Sequence, residues 1–228
     1  MTAPPFQLRS QLVGPLPVIN AFLDRLGVER LLEQAIAADP RVRVHPAVPL
    51  GVVLRSVIEG RLPLYALGEW VAERDPRLLA REALVSTAWL NDDRVGRALE
   101  GLFDADRAQL QTALVVQALR RFAIDCAEFH NDSTSLTFTG VYPTATGAPR
   151  RGQPTAAITW GHSKDHRDDL KQLLWILTVS ADGAVPVHYR VADGSTEDST
   201  THRATWDLLC QLAGRTDFLY VADSKLCT

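Results

Sequence analysis

The sequence predicts an α + α/β chain, with a helical domain over residues 1–123 followed by a mixed sheet with one crossover helix over residues 124–228. Three observations predict it. Apolar residues recur at i, i+3 and i+4 spacing as far as Phe122, the signature of amphipathic helices. After about residue 124 the period shortens and continuous apolar runs bounded by turn residues take over. The later elements then follow the order strand, strand, strand, helix, strand, in which a crossover helix can return the fourth strand parallel to the first.

The helices are read in order from their spacing and punctuation. Val18, Ile19, Phe22, Leu23 and Leu26 mark the first, and Leu31, Leu32, Ala35 and Ile36 the second. Gly27 between them suits a left-handed C-cap. Helices follow over Val48 to Glu59 and Leu64 to Glu73, with Trp70 on an apolar face, and Pro49 and Pro63 suit their first turns. Asn91, Asp92 and Asp93 supply N-cap oxygens ahead of Val95, Leu99, Leu102 and Phe103. A last helix carries Leu110, Leu114, Ala118, Leu119 and Phe122.

Beyond residue 124, Phe129 to Phe138 reads as a half-buried strand, and a Gly- and Pro-rich stretch from Thr139 to Asp169 follows. Leu173 to Val179 is a continuous apolar strand, Asp182-Gly183 a turn, and Val185 to Val191 the returning strand of a hairpin. Thr200 or Thr201 can cap a helix through Leu212 that ends at Gly214. Phe218 to Asp223 is then a buried strand finishing on a carboxylate.

Composition narrows the function classes. With 46% hydrophobic and 22% charged residues the chain is an ordinary globular one, so disordered and collagen-like readings fall away. No apolar run of about 18 residues exists to span a membrane, and the first residues hold no signal-peptide core, which points to the cytoplasm. Cys126, Cys210 and Cys227 show no Cys-x-x-Cys spacing and read as buried thiols in a reducing compartment. The net charge of −3 argues against a generic nucleic-acid coat, although residues 1–123 sum to +1 and residues 124–228 to −4.

The predicted order brings two carboxylates together. If the fourth strand lies beside the first, at about 4.8 Å, Asp132 and Asp223 become neighbours. Paired carboxylates repel unless neutralised, and an oxygen-seeking divalent cation neutralises them. Two such ions about 3.5–4 Å apart can clamp an in-line phosphoryl displacement. By pattern alone, the reading of Asp132 and Asp223 as ordinary strand-end or turn carboxylates prevails.

Three segments add a resemblance. Asp132 to Ser135, Gly161 to Gln172 and Val221 to Ser224, in this order and spacing, resemble the DDE transposases of bacterial insertion sequences. More narrowly, they are similar to the IS-four superfamily, in the branch with a helical N-terminal domain, which Pro63 to Trp70 and Leu90 to Leu99 resemble. The resemblance implies an incomplete ribonuclease-H-like catalytic domain that cleaves and joins DNA at transposon ends with Mg²⁺ or Mn²⁺. It places Asp132 and Asp223 as catalytic metal ligands. The family's third acid, a glutamate in a Tyr…Arg…Glu context, is missing, because the sequence stops at Thr228 and Glu197 is its last glutamate. The 228 residues are therefore expected to read as the front part of a transposase, inactive alone. A second reading is a regulatory fragment that binds element ends or pairs with full-length transposase or with its own copies, and a third is a decayed reading frame whose product has no role. Such a protein is expected in the cytoplasm, on the nucleoid when bound to DNA.

Other residues invite weaker readings. Arg150, Arg151, Lys164, Arg167 and Lys171 offer cations for DNA phosphates, but Asp165, Asp168 and Asp169 lie among them, so a self-paired, solvated loop is as good an account. His162, Asp165 and His166 have a zinc-like spacing without a further ligand. His130 shares a strand face with Asp132 and reads as a buried, hydrogen-bonded histidine. Asp92 and Asp93 are explained by helix capping. Trp70 and Trp89 read as core, whereas Trp160, beside Gly161, is a candidate to stack on bases.

Overall fold

The computed structural model describes residues 10–42, 44–60, 62–80, 89–162, 167–197 and 200–223. The chain divides into two compact units, Met1–Leu110 and Gln111–Thr228.

The first unit is helical: α1 (Leu16–Leu26), α2 (Val28–Ala35), α3 (Ala47–Gly60), a 3₁₀ turn (Leu64–Ala66), α4 (Leu67–Ala72), α5 (Pro76–Leu79) and α6 (Asp92–Asp104). Gly27 adopts the expected left-handed conformation, at φ 63°, and ends α1 as α2 begins. Asn91 Oδ1 accepts the Arg94 N–H at 3.0 Å, which caps α6, while Asp92 and Asp93 occupy its first turn. The four-residue α5 is an addition to the expected set, started by Asp75 and Pro76 and too short to show a period.

Apolar stripes on these helices meet at Leu16, Leu23, Ile36, Val52, Leu67, Trp70, Leu79, Val95 and Ala98, all buried. Helix α3 touches α1, α2, α4, α5 and α6, so the unit is assembled around it. Two arginines are buried with it. Arg55 donates to Asn20 Oδ1 at 2.7 Å, to the Gly51 carbonyl at 3.0 Å and to Glu29 Oε1 at 2.7 Å. Arg74 grips Glu59 through Nε and Nη2 at 3.0 and 2.9 Å and lies over the Trp70 ring, whose indole N–H also donates to Glu59. Trp70 is thus core as expected, whereas Trp89 is half-buried beneath the Arg94 guanidinium.

The second unit carries β1 (Glu128–Phe138), β2 (Lys171–Ser180), β3 (Pro186–Asp193), α8 (His202–Ala213) and β4 (Leu219–Val221). Helix α7 (Arg107–Phe122) spans the division. The units part at residue 110 rather than 123 because Val115 and Leu119 of α7 pack with Phe129, Val187, Leu209 and Phe218 in the core of the sheet unit. The sheet runs in the order β3-β2-β1-β4, with β4 parallel to β1 and the other pairs antiparallel. A mixed four-stranded sheet therefore follows the helical half, as the order of elements predicted.

Two expected details differ. Helix α8 does begin after Thr201, but neither threonine hydroxyl caps it: Thr201 already lies near helical dihedrals, and Thr200 Oγ1 donates to the Glu197 carbonyl. Strand β4 is an edge strand rather than a buried one. Phe218 before it is buried, whereas Leu219 is 57% exposed, since among the described residues β4 has a neighbour on the β1 side alone. Cys126 and Cys210 are free thiols, half-buried rather than buried, and Cys227 lies outside the described residues. Among the described residues no helix is long and apolar enough to cross a membrane.

His188 on β3 ties this core to pH. Burial, and then the Arg190 charge, push its imidazole below the ordinary 6.5. Above pH 6.5 the folded and unfolded chains both hold it neutral and no stability is lost. As pH falls below 6.5 the unfolded chain takes up a proton that the folded one refuses, so stability declines until the folded value is passed. Melting of the sheet unit is expected to shift down between pH 7.5 and 5.5, and His188→Gln to flatten that slope. An unchanged slope in the variant would count against the assignment.

Candidate functional site

Alternation along β1 decides which side chains reach solvent. Phe129, Asn131, Ser133 and Ser135 face inward, with Asn131 Nδ2 donating to Thr178 Oγ1 at 2.8 Å, so His130, Asp132 and Thr134 face outward. Asp132 is exposed, and its Oδ1 accepts the Ser133 N–H at 2.8 Å. On the parallel side, Glu128 pairs with Leu219, Phe129 with Tyr220 and His130 with Val221. The same offset carried two residues further sets Asp132 abreast of Asp223. Both carboxylates line one small cleft with Asn131, Ser133, Thr201 and His202. The structure therefore brings the two sequence-predicted acids together.

The oxygen-only chemistry of this pair fits a hard divalent cation, whose remaining positions water or phosphate oxygens would fill. Among the described residues no group of three His, Cys, Asp or Glu is placed to hold a metal. Of the zinc-like trio, His162 is exposed, and Asp165 and His166 lie outside the described residues. His130 is not the buried histidine expected. Its side chain is 47% exposed and its Nε2 lies 2.8 Å from Glu128 Oε1, because odd-numbered residues of β1 take the inner face.

The cations are placed elsewhere. Lys171 lies opposite Phe138, at the far end of β1 from the acids. At about 3.3 Å per residue this is roughly 20 Å from Asp132. Its Nζ donates to the Val141 carbonyl at 2.7 Å and sits 4.8 Å from the centre of the Trp160 ring, which is 59% exposed. Arg167 holds Asp169 through two bonds of 2.7 and 2.8 Å, and this pairing keeps the Asp169 carboxyl below its usual range. Arg150 and Arg151 lie in an exposed turn that the Arg150–Gln153 bridge closes, and Lys164 lies outside the described residues. The self-paired loop thus accounts for Arg167, while the half-buried Lys171 and the exposed Trp160 form a distinct pair.

Sequence reading missed His202 at the cleft. His202 opens α8 and is buried, with Nδ1 2.9 Å from Tyr220 Oη. The signal was present: His202, Thr205 and Leu209 form the buried stripe of α8, and a histidine in such a stripe invites a partner.

Residues 8–116 match DUF4277, a domain of unknown function. The match covers a little under half of the chain: the helical unit and the first turns of α7. No curated protein and no solved structure matches the chain.

Proposed function

We propose that residues 111–228 carry the metal-dependent phosphoryl-transfer site of a DDE transposase of the IS-four superfamily, acting on DNA at transposon ends. The observation that carries this reading is the shared cleft of Asp132, on β1, and Asp223, two residues past the end of the parallel strand β4. Mg²⁺ or Mn²⁺, when bound by these carboxylates, would supply a Lewis acid for phosphoryl oxygens and lower the pKa of an attacking hydroxyl or water. The protein's own part is placement. The sheet fixes where Asp132 stands, and Ser133 N–H orients its carboxylate. Lys171 and Trp160 offer a charge and a ring to the same nucleic acid away from the reacting phosphate.

With two carboxylates in the cleft, the expected behaviour of these 228 residues is cation-dependent binding rather than turnover. Mn²⁺ titration followed by water-proton relaxation is expected to show binding that Asp132→Asn or Asp223→Asn weakens tenfold or more, on the order of 1.4 kcal/mol. Because Asp132 is exposed, melting should stay within about 0.5 kcal/mol of the parent. Mn²⁺ binding that survives the double Asn variant would sink this reading. DNA binding that depends on salt alone and persists in Asp132→Ala would instead favour the regulatory, non-enzymatic role.

A further inference from the structure

His202 stands at the same cleft with one nitrogen spoken for and one not. Its Nδ1 pairs with Tyr220 Oη, while its Nε2 is buried and has no hydrogen-bond partner among the described residues. Burial raises the Tyr220 phenol to about 12, so the hydroxyl keeps its proton. In the arrangement where that hydroxyl donates to Nδ1, the imidazole proton sits on Nε2 and makes it a donor. A buried donor without an acceptor costs about 1–3 kcal/mol, so it calls for a partner.

Two further features of the cleft define that partner as an anion. His202 is the first residue of α8, whose leading N–H groups carry the positive end of the helix dipole. No acidic residue stands in the first turn of α8, and Thr201 lends no side-chain oxygen to cap it. Facing this helix end are Asp132 and Asp223, which would share a cation. A group that bridges the two sides must offer negative oxygens to the cation and to an N–H donor together, and a phosphodiester does so.

We infer that His202 Nε2–H donates a hydrogen bond to a non-bridging phosphoryl oxygen of DNA held at the Asp132–Asp223 cleft, an inference that rests on the phosphoryl-transfer reading above. Tyr220 is then a positioning residue, acting through the imidazole tautomer it selects. The donor comes from α8 and the carboxylates from β1 and the segment after β4, so it is assigned to the phosphate rather than to the cation.

The test is anisotropy of a fluorescein-labelled DNA duplex with the 228-residue protein, in the presence and absence of Ca²⁺. Ca²⁺ is expected to tighten binding in the parent, and Asp132→Asn to erase that gain. His202→Leu is expected to weaken the Ca²⁺-dependent binding about tenfold, and His202→Gln, which keeps an N–H donor, to restore most of it. If Asp132→Asn leaves the gain intact, the cleft reading itself fails. If Asp132→Asn erases the gain but His202→Leu binds like the parent, the His202 inference alone is overturned. Should the leucine variant not fold, the ¹⁵N spectrum of the parent's imidazole decides. An Nε2–H tautomer whose signal moves when duplex and Ca²⁺ are added together supports the inference. An Nδ1–H tautomer, or an unmoved Nε2 signal, overturns it.

Discussion

Gly194→Ala is expected to destabilise the sheet unit by at least about 3 kcal/mol, a large share of the 5–15 kcal/mol that holds a typical domain folded. The reason is space. A methyl at residue 194 would be driven into the Gln172 carbonyl and would stand 2.5 Å from the Thr159 carbonyl oxygen. Backbone cannot swing aside as the tip of a lysine can. The same spot holds Thr159 and Gln172 in reciprocal backbone bonds of 3.2 and 2.8 Å, the Gly194 N–H on the Ala157 carbonyl at 3.2 Å, and Gln172 Nε2 on the Gly194 carbonyl at 2.8 Å. Moving the chain to admit the methyl breaks these together. Gly161→Ala is expected to do the same from the other side, since its methyl would be driven into the Gly194 carbonyl. Gly96→Ala, in α6 with nothing within 4 Å of the added carbon, is the control and is expected to stabilise by roughly 0.5–1 kcal/mol. Amide hydrogen exchange of β1 and β2 is the measurement. Protection in Gly194→Ala equal to that of the parent would show that the loop yields without cost.

Arg55→Ala is expected to cost the helical unit about 3–5 kcal/mol. The guanidinium joins α3 to α1 through Asn20 and to α2 through Glu29, and Asn20 passes the link to α5 by donating to the Leu78 carbonyl at 2.9 Å. Truncation leaves a void where the largest fully buried side chain among the described residues stood, and leaves Glu29 without its ion-pair partner at 2.7 Å. Removing the charge from Glu29 in the same chain should recover part of the loss, because a pair taken out whole leaves no unmatched carboxylate. Arg77→Ala is the contrast: its pairing with Asp75 lies on the surface, with the guanidinium 87% exposed, and little change is expected. Exchange protection in α1 to α3 reads the outcome. Equal protection in Arg55→Ala and Arg77→Ala would refute the linchpin role.

What was legible in the sequence is what local spacing encodes. Gly27, Asn91 and the apolar stripes set the helices, and the strand order followed from three runs, a helix and a fourth run. The juxtaposition of Asp132 and Asp223 was legible too, because neighbouring parallel strands leave little choice of partner. Contacts between distant residues were not. Nothing near Gly161 announces Gly194, and nothing near Arg55 announces Asn20 and Glu29. His130 was misjudged because the inner face of β1 is partly polar: Asn131, Ser133 and Ser135 hide while Leu136 is 43% exposed, the reverse of what hydropathy suggests. The division at residue 110 depends on α7 side chains choosing the sheet, which periodicity within one helix cannot show.

The alternation of β1 has a consequence for how this site tolerates change. Asp132 lies between two inward residues and shares its strand with Phe129, which is fully buried. A slip of one residue in β1 would turn every side chain over, burying the carboxylate and bringing Phe129 to the surface. Errors of placement at the site are thereby converted into errors of folding. Substitutions at residue 132 should be silent for stability and, on the proposed reading, costly for cation binding. A one-residue insertion or deletion within the strand should yield no folded protein in which a misplaced carboxylate could act, so the hydrophobic core proofreads the address of the acid.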